Sequence, residues 1–233
     1  MFSVKIFKKH CSKEWLPVFD INNKLVKIQA KERIFNEGDP VKGIYFIEKG
    51  KFKVLSRFNE QQEKIIRIAG DGDILGHRGI HADTFPISVE ALTDAELTYV
   101  PMDIFIKILR SNPDMAIYLI NFMSDELRDD EDRMKKLQVL DPKIRIAGVL
   151  VKLIDSFGYR KNSENLLEFT LSRADLANMA GTTYESVIRA LTAFKDAGYI
   201  VLEGKEIAIA NEIQLRQLAT VTTGKKVNAR KTS

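Results

Sequence analysis

Two charged residues four positions apart, Glu185 and Arg189, lie near the end of the run from Leu171 to Leu191. A guanidinium fork fits guanine O6 and N7, and a carboxylate accepts from cytosine N4. At a spacing of four, both would sit on one face of a helix. The surrounding residues predict two short helices joined by a tight turn. Ser172 and Asp175 have the spacing of a capping box, with Asp where Glu or Gln is usual. Leu176 and Met179 face inward, Ala177 is small where two helices cross, and Gly181 permits the turn. Thr182 can cap the second helix, and Val187, Leu191 and Phe194 supply its buried stripe. Tyr184, Glu185, Ser186, Ile188 and Arg189 then project from its outer face and first turn, where a recognition helix meets base edges. Competing readings exist for each residue singly. Glu185 lies three after Thr182 and could complete a capping box, and Arg189 could be a solvated helix arginine. Within a helix-turn-helix frame, the pair favours DNA reading. Residues 195–209 follow as helix end, strand, glycine-containing turn and strand, which is a wing.

A reading helix needs elements to place it. Asn112-Pro113-Asp114 predicts a helix start, with Asn112 as N-cap, Pro113 at the first helical position and an acid in the first turn. No proline or glycine follows from Met115 to Leu140. With Ile120 at heptad position a, the seam reads Ile120, Met123, Leu127, Asp130, Met134, Leu137. The residues between include Asp125, Glu126, Arg128, Asp129, Glu131, Asp132 and Arg133. A mostly apolar seam on a charged helix is best covered by a second copy of the same helix; the alternative is packing on the chain's own N-terminal domain. Asp130 on such a seam would approach its own copy across a two-fold axis, and two close carboxylates raise one pKa. Leu140-Asp141-Pro142 ends or bends the helix. Beyond it Ile144, Ala147, Val151 and Ile154 fall at helical spacing, with Gly158 as a stop.

Before the long helix the pattern is different. Short apolar runs at 43–47, 51–55, 65–68 and 95–100 alternate with Gly- and Asp-containing turns, which predicts an antiparallel roll or barrel. Glycines 38, 50, 72 and 76 are placed at turns that need positive φ or close backbone approach. The resulting class is α+β: an N-terminal β-roll over 1–110, a dimerisation helix over 111–140, a winged helix-turn-helix over 141–220 and a basic disordered tail over 221–233.

Composition narrows the function. The 233 residues are 45% hydrophobic and 29% charged. No apolar run approaches the roughly 20 residues that span a bilayer, and the N-terminus does not read as a secretory signal, so no membrane partner and a cytoplasmic location are expected. Cys11 is the one cysteine, which excludes an internal disulfide and the four thiolates of an ordinary iron–sulfur cluster. Residues 1–138 carry 22 basic and 22 acidic side chains, and the remainder 14 and 10, so the net +4 falls on the C-terminal part. A basic excess there suits a polyanionic partner. The tail from Gly224, with Lys225, Lys226, Arg230 and Lys231, adds to it. No phosphate-binding glycine loop, nucleophile elbow or zinc-ligand spacing is found, so an enzyme is not expected.

A strand-rich roll, a long helix and a winged helix-turn-helix, in that order, resemble the cyclic AMP receptor protein and fumarate–nitrate regulator family over roughly Phe19 to Asn211. Its most specific segments are Glu37-Gly38-Asp39 through Gly50, Gly72-Asp73-Ile74-Leu75-Gly76, Asn112-Pro113-Asp114 and the helix-turn-helix. The resemblance implies a homodimer on a palindromic site, an effector-binding (cyclic-nucleotide-binding-like) roll and RNA polymerase as a partner. It assigns Glu185 and Arg189 to base reading and Arg173 to a phosphate, with Thr182, Thr183, Tyr184 and Ser186 beside them. Tyr184 departs from the best-known subtypes, leaving the half-site open outside the guanine–cytosine step.

The effector residues depart further. The family's cyclic AMP site uses a Glu and an Arg after the turn glycine, and those places fall on His77 and Phe85. Its two adenine contacts on the long helix fall on Asp130 and Glu131. Phe85 cannot neutralise a phosphate, so cyclic AMP is not expected, and the segment Phe85 to Leu92 instead resembles the fumarate–nitrate side of the family. The candidate effector residues are Gly76, His77, Arg78, Phe85, Asp130 and Glu131. His77 and His81, four apart, could also hold a haem or a metal, as imidazole does. Two other classes of function remain open at this point: a sensor acting through protein contacts with a purely structural helix-turn-helix, and, with no residue recommending it, a hydrolase or transferase built on the roll.

Overall fold

The computed structural model describes residues 2–60 and 62–220, so the basic tail lies outside the described residues. The chain divides into two units, Met1–Asp130 and Glu131–Ser233. The first unit opens with helices α1 (Phe2–His10) and α2 (Leu16–Asn22). Eight strands follow: β1 (Lys24–Ile28), β2 (Arg33–Phe35), β3 (Gly43–Lys49), β4 (Phe52–Asn59), β5 (Gln62–Ala69), β6 (Ile74–Leu75), β7 (Ser88–Ala91) and β8 (Ala95–Pro101). Then come α3 (Met102–Ser111) and the long α4 (Pro113–Val139), which runs across the division between the units. The strands pair antiparallel in two four-stranded sheets, ordered β1-β8-β3-β6 and β2-β7-β4-β5.

Strand β3 explains how the roll holds helices. Successive side chains of a strand point to opposite faces. Ile44 and Phe46 join Phe7, Phe19, Phe105, Ile108, Met115 and Leu119 in a core shared by sheet and helices. Ile47 instead joins Phe35, Phe52, Val54 and Leu97 between the sheets. Both faces are covered, so the run reads as continuously apolar. Gly50 has φ 126°, and a Cβ there would stand 2.5 Å from that of Ala95, so the β3–β4 turn accepts no larger residue.

The N-terminal helices carry a signal the sequence reading passed over. Phe7 and Phe19 are both 1% exposed and stack with centroids 3.9 Å apart. Ser3 is also buried, and its hydroxyl donates to Glu48 and lies 3.2 Å from the hydroxyl of Thr98. Asn112 likewise differs from expectation. Its carbonyl accepts from the amide of Ala116, and α4 begins at Pro113. Its side chain, however, accepts from the amide of Ser12 at 2.8 Å and donates to the carbonyl of Ile108 at 2.9 Å. It ties the end of α3 to the N-terminal segment.

Along α4 two stripes diverge. Met115 and Leu119 are buried, and Phe122, Glu126 and Asp130 continue that line half-buried. The predicted seam lies beside it. Ile120 is 60%, Met123 42%, Leu127 61% and Met134 55% exposed. All four are exposed.

The second unit contains the end of α4, then α5 (Pro142–Phe157), α6 (Arg173–Ala180), α7 (Tyr184–Asp196), β9 (Ile200–Glu203), β10 (Glu206–Ile209) and α8 (Glu212–Thr220). Asp141 caps α5, accepting from the amide of Lys143 at 2.7 Å with Pro142 in the first turn, and Gly158 ends it at φ 71°. The buried stripe of α5 is broader than predicted: Ile146, Val149, Leu150 and Leu153 join Ala147 and Ile154, while Ile144 and Val151 are half-buried. Strands β9 and β10 pair antiparallel, and Leu166-Leu167 adds to β10 through the amide of Leu167 and the carbonyl of Ile207.

Candidate nucleic-acid interface

Helix α6 starts as its sequence predicts. Ser172 Oγ accepts from the amide of Asp175 at 3.0 Å, capping the helix, and donates to the Asp175 carboxylate at 2.8 Å. Gly181 follows in the left-handed region at φ 61°. The chain then runs one residue further than expected before α7. Thr183, not Thr182, is the N-cap, and its hydroxyl accepts from the amide of Ser186. This shift removes the capping-box reading of Glu185, because the third helical position belongs to Ser186.

Val187, Ala190, Leu191 and Phe194 anchor α7 in the core. The opposite face presents Tyr184, 56% exposed, and Ile188, 41% exposed, beside exposed Glu185 and Arg189. Among the described residues, Arg189 reaches Ser186 Oγ, at 3.3 Å. Apolar groups left in water on a capped, well-anchored helix suit contact with thymine methyls, as the charged pair suits guanine and cytosine edges. Arg173, at the start of α6, donates to the carbonyl of Lys205 in the wing at 3.1 Å. Its guanidinium is half-buried, and burial lowers its pKa from the ordinary value.

In the first unit the candidate effector residues separate. Gly76 takes φ 86°, and a Cβ would meet the carbonyl of Gly43 at 3.1 Å. Phe85 lines no polar pocket: it is 3% exposed and stacked on Phe35 with centroids 3.8 Å apart. Glu131 is exposed. His77 and His81 do not form a ligand pair: His77 is 2% exposed, while His81 is exposed at φ 65°. Among the described residues, no group of three or more His, Cys, Asp or Glu could hold a metal ion.

What the structure does assemble is an ion cluster centred on Glu126, which the sequence reading counted only among the charges of the helix. Its carboxylate meets Arg67 at 2.5 Å, His77 at 2.6 Å and Arg78 at 3.5 Å. Arg78 also donates to Asp130 at 2.8 Å, and Arg67 stands 3.4 Å from Asp73. The rings of His77 and Phe122 meet nearly perpendicular with centroids 5.1 Å apart, and the guanidinium of Arg67 lies 5.2 Å from the Phe122 ring. Burial alone would raise the Glu126 carboxyl. The hydrogen bond from His77 and the charges of Arg67, His77 and Arg78 outweigh it, holding the group below the usual carboxylate value. Asp130 is therefore engaged with its own roll, rather than standing on an open seam. A spacing signal existed: Glu126 and Asp130 continue the stripe of Leu119 and Phe122.

A roll of two sheets, a long helix and a capped recognition helix beside a wing define a regulator that binds DNA through a winged helix-turn-helix. Known proteins agree. Residues 25–112 match the cyclic nucleotide-binding domain and residues 144–218 the Crp-like helix-turn-helix domain. Electron transport regulator A of Shewanella oneidensis is 30% identical over 200 residues, covering 86% of this chain and 80% of that protein. The fumarate and nitrate reduction regulatory protein of Escherichia coli is 28% identical, covering 82% and 77%. Among solved structures, FixK2 from Bradyrhizobium japonicum superposes with a TM-score of 0.77 at 21% identity, covering 86% of this chain and 98% of that one. The chain belongs to the CRP/FNR family of transcription regulators.

Proposed function

We propose that two copies of this chain bind a palindromic DNA site, each reading one half-site with α7. The exposed Glu185–Arg189 face on a buried, Thr183-capped helix carries this reading. Arg189 reads a guanine, Glu185 the neighbouring cytosine, and Tyr184, Ser186 and Ile188 the flanking positions. Thr182, Thr183 and Arg173 hold phosphates at the rim, Arg173 with the donors that its wing contact leaves over. The exposed stripe Ile120, Met123, Leu127, Met134 is covered by its own copy, as an apolar heptad seam requires. Leu137 ends that stripe. The protein acts in the cytoplasm with RNA polymerase and is not an enzyme.

The roll does not fit cyclic AMP. Phe85 fills the core where the family places a cationic partner for the phosphate, and Arg67 and Arg78 are already neutralised by Glu126 and Asp130. One cysteine does not fit a four-thiolate cluster. The effector, where one is used, is a small molecule of another class.

Selection of sites from random duplexes by the purified full chain, at fixed salt because phosphate contacts dominate affinity, tests this. Half-site centres about one helical turn apart are expected, with the preference lost in Arg189→Ala. Enrichment that Arg189→Ala leaves unchanged would instead support the sensor reading, with the helix-turn-helix structural only.

A further inference from the structure

The α6–α7 turn is held by a residue outside the helix-turn-helix. Arg145, in the first turn of α5, spreads its guanidinium over three backbone carbonyls. Nε donates to Ala180 at 2.8 Å, Nη2 to Gly181 at 3.0 Å and Nη1 to Leu140 at 2.6 Å. Ala180 and Gly181 close α6, and Leu140 follows the last residue of α4. The final carbonyls of a helix lack intrahelical partners and carry partial negative charge. One cation therefore serves two helix ends at once. Only the planar fork of arginine, with five donors at fixed angles, can do so; a lysine ammonium is a single point.

A second observation at the same place is steric. A Cβ on Gly181 would stand 2.7 Å from Cδ2 of Leu137, so the last turn of α4 lies directly against the turn that aims α7. The glycine thus answers two demands, a left-handed φ and the proximity of Leu137. Leu137, predicted on the dimer seam, is half-buried here rather than exposed like its neighbours on the stripe.

We infer that Arg145 is a positioning residue for DNA reading: it staples the helix-turn-helix turn to the end of α4 and so fixes the direction of the recognition helix. This rests on the proposed reading of a paired α4 and a palindromic site. In such a dimer, the staple sets the distance between the two recognition helices, and hence the half-site spacing that is accepted.

The test uses the full chain, as wild type, Arg145→Gln and Arg145→Lys, on duplexes carrying the selected palindrome with its centre lengthened or shortened by one base pair. Affinity for random-sequence duplex and thermal midpoint are read alongside. Wild type should prefer one spacing. Arg145→Gln should bind that palindrome about tenfold more weakly, the expected scale for losing charge-assisted bonds, and should discriminate poorly between spacings. Its random-duplex affinity should be unchanged, since phosphate contacts dominate there. Arg145→Lys should fall between, and it supplies the reading if Arg145→Gln does not fold. An unchanged spacing preference in the folded variants overturns the inference. So does a parallel fall of specific affinity, random-duplex affinity and thermal midpoint, which marks a merely structural arginine. Failure of wild type to select any palindrome would instead strike the proposed function itself.

Discussion

Two of the molecule's arginine–glutamate constellations have opposite fates. On α7, Glu185 and Arg189 stand exposed, and the arginine reaches no nearer than 3.3 Å to a serine hydroxyl. In the roll, Glu126 is nearly enclosed and engaged by Arg67, His77 and Arg78. The same chemistry serves recognition where its partners are supplied from outside, and architecture where the chain supplies them. Exposed pairs contribute little to stability. A buried group that loses its partners leaves uncompensated charge, which is costly. The Glu126 cluster is thus closed by the chain's own residues, while the Glu185–Arg189 face is left open to solvent.

The largest effect should come from breaking the enclosed cluster. Glu126→Leu leaves the Arg67 and Arg78 guanidiniums and the His77 imidazole facing an apolar side chain and should cost about 3–5 kcal/mol, read from urea unfolding of the full chain; a loss under 1 kcal/mol would show that water already screens the site. The exposed pair should respond in the opposite way. Arg189→Ala should lose about 1–3 kcal/mol of discrimination at one base step with its thermal midpoint unmoved, as competition binding with single-base variants would show. A drop in midpoint would blur the distinction.

Acid should separate the two regions as well. The carboxyl of Glu126 is held below its ordinary value in the folded chain. Its contribution is therefore present above the unfolded carboxylate value of about 4.3, and is lost as pH falls through the folded one. Wild type should lose stability between pH 6 and 3 more steeply than Glu126→Gln, whereas Glu185→Gln should follow wild type. The smallest expected effect lies at Cys11, whose half-buried thiol is pushed up to about 11 by burial. Thiolate is the reactive form, so alkylation by iodoacetamide at pH 7.5 should run well below the rate of a free cysteine and recover in urea.

Local signals placed much of the fold. Glycines 38, 50, 72 and 76 all take positive φ, Pro113 and Pro142 both open helices, and Ser172 caps α6. Such features depend on residues within one turn of each other, and the sequence lists them side by side. The N-terminal helices were missed because Phe7 and Phe19 have meaning only against Phe46, distant in the chain.

What the sequence determined by itself was therefore the order of elements, the outward face of α7 that carries Glu185 and Arg189, and the single cysteine that excludes a four-thiolate cluster. Each follows from spacing, backbone preference or a count. Only the tertiary structure decided which charges are spent. Glu126 looked like any carboxylate on a charged helix until β5 and the turn after β6 brought Arg67, His77 and Arg78 to it. Arg145 was one arginine among many until its fork met two helix ends. A charge is read from the chain, but whether it faces water or a partner depends on residues tens of positions away, and folding alone brings those together.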